Sequence, residues 1–282
     1  MYPTIVILGK SLSAYYICIV LGIFLIITLA SSFRPKDFPL ASDALLALLC
    51  LAAIAGFVGT KLLYLATHSW LYKDPRSFAL AFFCSGGYAY LGVPLSVAFM
   101  VWIAAKIEKV SFLVLADFLF SFLMAERVVG RLGCLLGGCC YGIECKLPWA
   151  INARHVSAVH PTQAYEMIYA LAIFVSARYL YNKLASVKGL TFFYVIFSYS
   201  AFRFFNEFIR HDGRPLFGFF KLPNAVFLAL SLISFYGILR IVKKSGRKDE
   251  VLPALKTAVK ILFITLAITA VIILSVISLI SH

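Results

Sequence analysis

The amino-acid sequence predicts an all-α fold, a polytopic bundle of membrane-spanning helices, and three observations support this. Of the 282 residues, 62% are hydrophobic and 13% are charged, whereas soluble domains are about half apolar and about a quarter charged. Apolar runs of about 20 residues recur, and each is long enough to cross about 30 Å of hydrocarbon as a helix. The apolar–polar alternation that is typical of membrane β-strands is not seen in these runs.

Eight apolar segments can be placed in order along the chain. They cover approximately residues 12–30, 43–67, 79–105, 110–129, 163–181, 190–205, 224–242 and 257–280. The first follows Lys10 and is too long for the hydrophobic region of a cleavable signal, so we expect a retained first span. The third is interrupted by Gly86, Gly87, Gly92 and Pro94, which predicts a broken helix or a re-entrant turn.

The basic residues indicate both the orientation and the partners of the chain. The formal net charge of +14 is carried by short loops, so membrane lipids with phosphate groups are the expected partners, and no segment is typical of a nucleic-acid-binding module. The strongest basic cluster, residues 240–248, is predicted to be cytoplasmic. If all eight segments span, Arg131, Arg203 and Arg210 fall on the outer face, where their presence indicates anion binding.

Three polar groups lie on this predicted outer face. They are GRLGCLLGGCCYG (130–142), VHPTQAYE (159–166) and RFFNEFIRHDGR (203–214). In the last, Arg203, Glu207 and Arg210 share one helical face because they are spaced i, i+4, i+7. Converging guanidinium groups suit a phosphodiester, since each fork binds two oxygens. The structural alternative is an interfacial helix end with an aromatic belt and arginines that extend toward the surface.

These motifs, in this order, resemble those of the prolipoprotein diacylglyceryl transferases, which are enzymes of the bacterial inner membrane. The frame of Gly130, Arg131, Gly133 and Gly142 matches the family signature Gly-Arg-x-Gly-Asn-Phe-x-Asn-x-Glu-x-x-Gly, but cysteine or another residue replaces both Asn and the Glu. HPTQAYE is similar to the family's His-Pro-Ser-Gln-Leu-Tyr-Glu, and RFFNEFIR resembles Arg-x-x-x-Glu-Phe-x-Arg. The histidine that members carry in the third segment is absent, and Tyr90 or Leu91 falls there.

The resemblance implies an activity. Such an enzyme moves the diacylglyceryl group of phosphatidylglycerol to the cysteine thiol of a prolipoprotein, forming a thioether and releasing glycerol phosphate. It implies that the active site faces the outer side of the membrane and that no metal or other cofactor is required. It also divides the chain into a family-like core of seven spans, residues 1–245, and a basic linker with an extra C-terminal helix, residues 246–282.

The resemblance also implies roles for individual residues. Arg131 and Arg203 are the expected ligands of the phosphate, with Arg210 supporting them, and His160 is a candidate base. Glu207 is expected to fix the arginine geometry or to help deprotonate the thiol. The remaining expected substrate-binding residues are Tyr16, Gln163 and Glu166.

The seven cysteines leave several interpretations open. Cys18, Cys50 and Cys84 lie in apolar spans and are interpreted as packing residues. Four others occur within twelve residues, namely Cys134, Cys139, Cys140 and Cys145. They fit a disulfide, a zinc or iron–sulfur site, plain packing against the glycine turn, or a catalytic thiol. Two alternative functions follow: a non-catalytic relative that binds anionic lipid, and a membrane protein that uses the Cys134–Cys145 cluster in thiol redox chemistry.

Overall fold

The computed structural model describes residues 4–7, 10–68, 82, 89, 91–153, 156–211, 215–217 and 220–281. Eight helices dominate the described part of the chain. They are α1 (Ala14–Ser32), α2 (Ser42–Thr67), α3 (Gly92–Ile107), α4 (Phe112–Gly137), α5 (Thr162–Leu184), α6 (Leu190–Ile209), α7 (Leu222–Lys244) and α8 (Lys248–Ser281). The prediction of a helical fold is therefore confirmed. Gly86, Gly87, Tyr90 and Cys84 lie outside the described residues.

The described residues also form three short antiparallel hairpins, one before α1 and two between helices. The strands are β1 (Thr4–Ile7) with β2 (Lys10–Ser13), β3 (Ile151–Ala153) with β4 (Val156–Val159), and β5 (Pro215–Phe217) with β6 (Phe220–Lys221). The register of the second hairpin shifts between its two pairs, Ile151 with Val159 and Ala153 with Val156. This hairpin packs through Ile151, Ala153 and Val159 on the start of α5 and the end of α8.

The helices define a multi-pass membrane protein. Within the described residues, α1, α2, α7 and most of α8 are long and apolar enough to cross a membrane. The chain segments α4, α5 and α6 carry buried charged residues, which lowers their mean hydropathy: Asp117, Arg127, Arg131, Glu166, Arg178, Arg203 and Glu207. Their charges face protein, as polar groups at membrane depth must. That all eight segments cross stays a prediction.

The contacts divide the chain into two compact units, residues 27–116 and residues 1–26 with 117–282. In the first unit, α2 packs closely on α3 through glycines. A Cβ added to Gly92 would lie 2.3 Å from the carbonyl oxygen of Gly59. Small residues of this kind let two membrane helices approach at their backbones.

The second unit, which holds the candidate site, is built from α1 and α4 to α8. Here α1 packs on α4 through Gly22, which faces Glu126, and through Gly133, which faces Cys18 and Tyr15. Helix α5 packs between α6 and α8, and α6 also packs along α7. The C-terminal helix α8 is therefore in contact with α5, the helix that begins with the HPTQAYE motif.

At one end of this unit, Asp117 of α4 caps α6. Its carboxylate accepts hydrogen bonds from the backbone N–H groups of Gly189 (2.5 Å) and Phe192 (2.8 Å). The free N–H groups at a helix N-terminus are satisfied in this way by a carboxylate from a different helix. Nearby, the buried guanidinium of Arg178 lies 4.7 Å from the ring centre of Phe122 and 4.9 Å from that of Tyr181.

Candidate active site

The opposite end of this unit is organised around the carboxylate of Glu166 in the first turns of α5. Glu166 is fully buried. The Nε of Arg127 donates to its Oε1 at 2.6 Å, and Nη2 of Arg131 lies 2.7 Å from its Oε2. The hydroxyl of Tyr199 donates to Oε1 at 2.8 Å, and Nε of Arg203 lies 3.9 Å from Oε2. One carboxylate thus joins α4, α5 and α6.

A second carboxylate, Glu207, orders the arginines of α6. Its Oε2 lies 2.7 Å from Nη1 of Arg203 and 3.8 Å from Nε of Arg210. The three side chains share one face, as their spacing predicts. The ammonium of Lys221 caps the end of this helix by donating to the backbone carbonyls of Glu207 (3.2 Å) and Arg210 (2.6 Å). A cation is favourable there because helix carbonyls point outward at a C-terminus.

The resulting arginine cluster consists of Arg127, Arg131, Arg203 and Arg210, all buried. Four guanidinium groups face the two carboxylates Glu166 and Glu207, which leaves an excess of two positive charges. Counting Glu126, which lies beside Gly130 on α4, and the buried ammonium of Lys221 at the end of α6, the excess remains two. Buried positive charge in excess requires an anion for compensation. Planar guanidinium groups are well suited to phosphate oxygens.

Several buried polar atoms around the cluster have no hydrogen-bond partner among the described residues. They are Nε of Arg131, Oε1 of Gln163 and both side-chain amide atoms of Asn206. Buried polar groups are normally hydrogen-bonded. Asn206 lies three residues after Arg203 on α6, on the same side of the helix, and Gln163 lies in the first turn of α5, three residues before Glu166. A polar ligand bound at the cluster would supply the missing partners.

The turn that follows α4 is held against the start of α5. The side-chain amide of Gln163 donates to the carbonyl of Cys139 at 2.5 Å, and the hydroxyl of Thr162 donates to the carbonyl of Cys140 at 2.6 Å. Gly138 (φ 64°) and Cys140 (φ 62°) both adopt the left-handed backbone conformation. That conformation costs about 1–2 kcal/mol in a residue with a side chain, so the surrounding contacts must maintain it.

The fourth apolar segment is predicted to end at about residue 129, but the helix is longer. Helix α4 continues to Gly137, so Arg131, Gly133 and Cys134 are all helical. The helix persists because Gly133 faces α1, where a Cβ would lie 2.8 Å from Cβ of Cys18. Likewise α6 ends at Ile209, beyond the predicted end at residue 205, and keeps Glu207 in helical geometry with Arg203.

Three of the four clustered cysteines converge beside Arg131. The Sγ atoms of Cys134, Cys139 and Cys140 all lie within 4.8 Å of one another, and Nη1 of Arg131 lies 3.8 Å from Sγ of Cys134. Cys134 is buried, the other two are half-buried, and all are free thiols. Hydrogen bonds from the Cys134 and Cys139 thiols lower the pKa of Cys140, aided by Arg131 and Arg210. Hydrogen bonds with the Cys134 and Cys140 thiols raise the pKa of Cys139.

His160 and Tyr16, both expected at the site, have different surroundings. Nδ1 of His160 lies 3.1 Å from the hydroxyl of Tyr165, which accepts a hydrogen bond from the indole N–H of Trp149 at 3.0 Å. Burial lowers the pKa of His160, which favours the neutral imidazole. Tyr16 is 49% exposed on α1 and packs edge-on against Tyr15.

Four residues near the cluster were not selected from the sequence as site residues. Arg127 and Tyr199 bind Glu166, Asn206 has amide atoms without a hydrogen-bond partner among the described residues, and Tyr15 packs against Gly133, next to Cys134. The spacing of Arg127 and Arg131, i and i+4 on one helix, was the available signal for the first of them. The others depend on contacts between helices.

The fold and the site together define a multi-pass membrane protein with a buried arginine cluster. The model of the family described as prolipoprotein diacylglyceryl transferase matches residues 3–242, so the chain belongs to this family. It is 30% identical over 253 residues to phosphatidylglycerol–prolipoprotein diacylglyceryl transferase 2 of Clostridium perfringens, covering 86% of this chain and 96% of that protein.

Two further relatives carry the name phosphatidylglycerol–prolipoprotein diacylglyceryl transferase. The protein of Corynebacterium diphtheriae is 27% identical over 227 residues, which are 72% of this chain and 79% of that protein. The protein of Finegoldia magna is 25% identical over 245 residues, which are 86% of this chain and 97% of that protein. The matched family region ends before α8 begins at Lys248.

Proposed function

We propose that the chain transfers the diacylglyceryl group of phosphatidylglycerol to the thiol of a prolipoprotein cysteine and releases glycerol phosphate. The observation that carries this proposal is the arginine cluster, whose positive charge exceeds the negative charge of its two carboxylates. Family membership supplies the reaction, and the names of the relatives supply the two substrates.

Arg131 and Arg203 bind the phosphodiester, with Arg210 beside them. As the C–O bond breaks, negative charge grows on the departing phosphate, and preorganised guanidinium groups stabilise it without further rearrangement. Glu166 and Glu207 hold these groups in place through the ion pairs described above. Oε1 of Gln163 and the side-chain amide of Asn206, which have no hydrogen-bond partner among the described residues, bind polar groups of the lipid. Tyr16 contacts the head group from the edge of the site.

The acceptor thiol must lose its proton before sulfur attacks the glyceryl carbon, because the thiolate is the nucleophile. Glu207 and His160 are the proposed proton acceptors among the expected residues. The neutral state of His160 is compatible with this role. A base must also come within hydrogen-bond reach of the thiol in the substrate complex.

In the proposed membrane arrangement, residues 1–245 form seven family-like spans, and residues 246–282 add one C-terminal span. The site lies at the outer face of a bacterial inner membrane. A site at one membrane face is supported by the six helix ends that lie on the side of the cluster. They are the starts of α1, α5 and α7 and the ends of α4, α6 and α8. The basic segment 240–248 then lies at the opposite, cytoplasmic end.

A lipid-transfer assay tests the proposal. Purified protein in vesicles would receive a peptide with one lipobox cysteine and either phosphatidylglycerol or phosphatidylcholine, and peptide mass and released glycerol phosphate would be followed. We expect diacylglyceryl peptide and glycerol phosphate in equal amounts from phosphatidylglycerol alone. Binding of phosphatidylglycerol without any transfer, by protein of intact fold, would contradict the transferase and favour the lipid-binding alternative.

A further inference from the structure

The three-thiol cluster of Cys134, Cys139 and Cys140 has the composition and spacing of a metal site. Their Sγ atoms lie within 4.8 Å of one another. Zinc–sulfur bonds of about 2.3 Å place tetrahedral thiolate ligands about 3.8 Å apart. A contraction of about an ångström would therefore bring three sulfurs to bonding distance of one ion. Thiolates are the ligands that select zinc and other soft metals.

Two consecutive segments of the chain form this cluster, the end of α4 and the turn that follows it. Cys134 belongs to the last turn of α4, and the chain reverses at Gly138 and Cys140 so that Cys139 and Cys140 return toward it. The backbone N–H of Cys139 donates to the carbonyl of Cys134 at 3.1 Å. Gln163 and Thr162 bind the carbonyls of Cys139 and Cys140, so the two sulfur-bearing residues are anchored to α5. A left-handed conformation at a residue with a side chain is typical of functional sites.

The surroundings compensate the charge of such a site. Three thiolates with one Zn²⁺ carry a net charge of −1, and Arg131 lies 3.8 Å from Sγ of Cys134. Hydrogen bonds to ligating atoms are a regular part of metal sites in proteins. Within the described residues the ligand group has three members, and Cys145 does not belong to it. Three protein ligands and an open fourth position are the arrangement of catalytic zinc sites.

We propose that Cys134, Cys139 and Cys140 bind Zn²⁺ and that the open fourth position receives the incoming lipobox cysteine as its thiolate. This inference rests on the proposed transferase function. On binding, the thiol gives its proton, through water, to one of the proposed acceptors Glu207 and His160, since a metal-coordinated thiol is deprotonated outright. Its sulfur then attacks the glyceryl carbon that bears the phosphodiester. The C–O bond breaks, and its electron pair stays on the phosphate oxygen beside Arg131. The neutral thioether is a poor ligand and leaves.

Metal content is the first test. Protein purified under reducing conditions and equilibrated with zinc is expected to hold about one zinc ion per chain, with three sulfur ligands at about 2.3 Å by X-ray absorption. Cys140→Ser is expected to lower bound zinc at least tenfold, whereas Cys145→Ser, outside the cluster, is expected to keep it. Wild-type protein that binds no zinc while its three thiols are free, or that keeps its zinc in Cys140→Ser, would overturn the site.

Cobalt substitution keeps the test independent of whether a variant folds. The wild-type protein loaded with Co²⁺ is expected to show thiolate-to-cobalt charge-transfer absorption that is lost when excess zinc is added. Absence of this absorption in cobalt-bound protein would exclude the cysteines as ligands. A lipobox peptide should change the cobalt spectrum, and a peptide with serine in place of the cysteine should not. Identical spectra with both peptides would contradict an open position for the thiol.

The transfer assay separates the two proposals. Removal of zinc by a chelator is expected to reduce transfer at least tenfold, with recovery when zinc is returned. Full transfer by zinc-free protein would overturn the role of the metal while the transferase function stands. Zinc-bound protein that transfers from no donor lipid would overturn the transferase function and the use of the fourth position, while the three-cysteine site itself would remain.

Discussion

The side-chain amide of Gln163 donates a 2.5 Å hydrogen bond to the backbone carbonyl of Cys139, so the second motif of the sequence holds the turn that ends the first. The hydroxyl of Thr162 donates a similar hydrogen bond to the carbonyl of Cys140, the next residue of the turn. The same helix turn places Glu166 among the arginines. Cysteine turn and arginine cluster are therefore positioned by one short segment of α5.

Loss of this contact should loosen the turn. Gln163→Leu removes the donor and leaves the carbonyl of Cys139 with one hydrogen bond fewer, which costs about 1–3 kcal/mol for a buried group. We expect a lower unfolding temperature and slower transfer, both measured on the detergent-solubilised protein. Gln163→Glu, which keeps the shape but cannot donate when ionised, should be similar. Unchanged stability and an unchanged transfer rate in both variants would show that this hydrogen bond does not hold the cysteine turn in place.

Glu166 should be the most sensitive position for folding. Glu166→Gln leaves three guanidinium groups without their shared carboxylate, and an uncompensated buried charge costs about 3–5 kcal/mol. The yield of folded protein should fall sharply, and the additional change Arg127→Gln should restore part of it. Glu144→Gln, at an exposed glutamate, is the matched control and should behave as wild type. If the double variant gives no more folded protein than Glu166→Gln alone, the loss of charge balance does not explain the low yield.

Two glycines only five residues apart should respond in opposite ways to alanine. A Cβ at Gly142 would lie 2.5 Å from the carbonyl oxygen of Ile209 and 2.7 Å from Cβ of His160. Among the described residues, a Cβ at Gly137 would meet no side chain or neighbouring element within 4 Å. Gly142→Ala should separate the turn from α6 and reduce both stability and transfer. Gly137→Ala should be neutral or stabilise by up to about 1 kcal/mol, because alanine favours the helix. Thermal unfolding of both variants measures the difference.

Replacing Asn206 with leucine should raise the stability of the protein and weaken its binding of lipid. Both of its amide atoms are buried without a hydrogen-bond partner among the described residues. Asn206→Leu removes the cost of unsatisfied polar atoms, about 1–3 kcal/mol, and should raise the unfolding temperature in the absence of lipid. The KM for phosphatidylglycerol should rise at least severalfold. A stability gain without any change in KM would remove Asn206 from the substrate site.

Asp117 should matter for stability but not for chemistry, because it caps α6 at the end of the unit opposite the arginine cluster. Asp117→Ala removes two hydrogen bonds to backbone N–H groups and should cost about 0.5–2 kcal/mol. Asp117→Asn retains one acceptor and should cost less. The transfer rate per folded molecule should equal that of wild type in both. A large fall in that rate would imply coupling between the two ends.

The sequence predicts the helical fold and the three polar motifs, because hydrophobic length and i, i+4, i+7 spacing are local properties. It does not show that Glu166 pairs with arginines of two other helices, since that depends on how α4, α5 and α6 pack. The predicted fourth segment ends before Arg131 because glycines at residues 130 and 133 are typical of turns in isolation, whereas here Gly133 faces α1 and the helix extends to Gly137. Convergence of three cysteines required the turn geometry at Gly138 and Cys140.

The most direct test of the central claim is the initial rate of diacylglyceryl transfer to a lipobox peptide by Arg131→Ala. Removing one preorganised donor to a developing charge typically costs 10²- to 10³-fold in rate. We predict a loss of at least about 100-fold, with Arg240→Ala, an exposed arginine at the other end of the bundle, unchanged. Equal rates for the wild type and Arg131→Ala, with both proteins folded, would contradict the assignment of the arginine cluster to the departing phosphate.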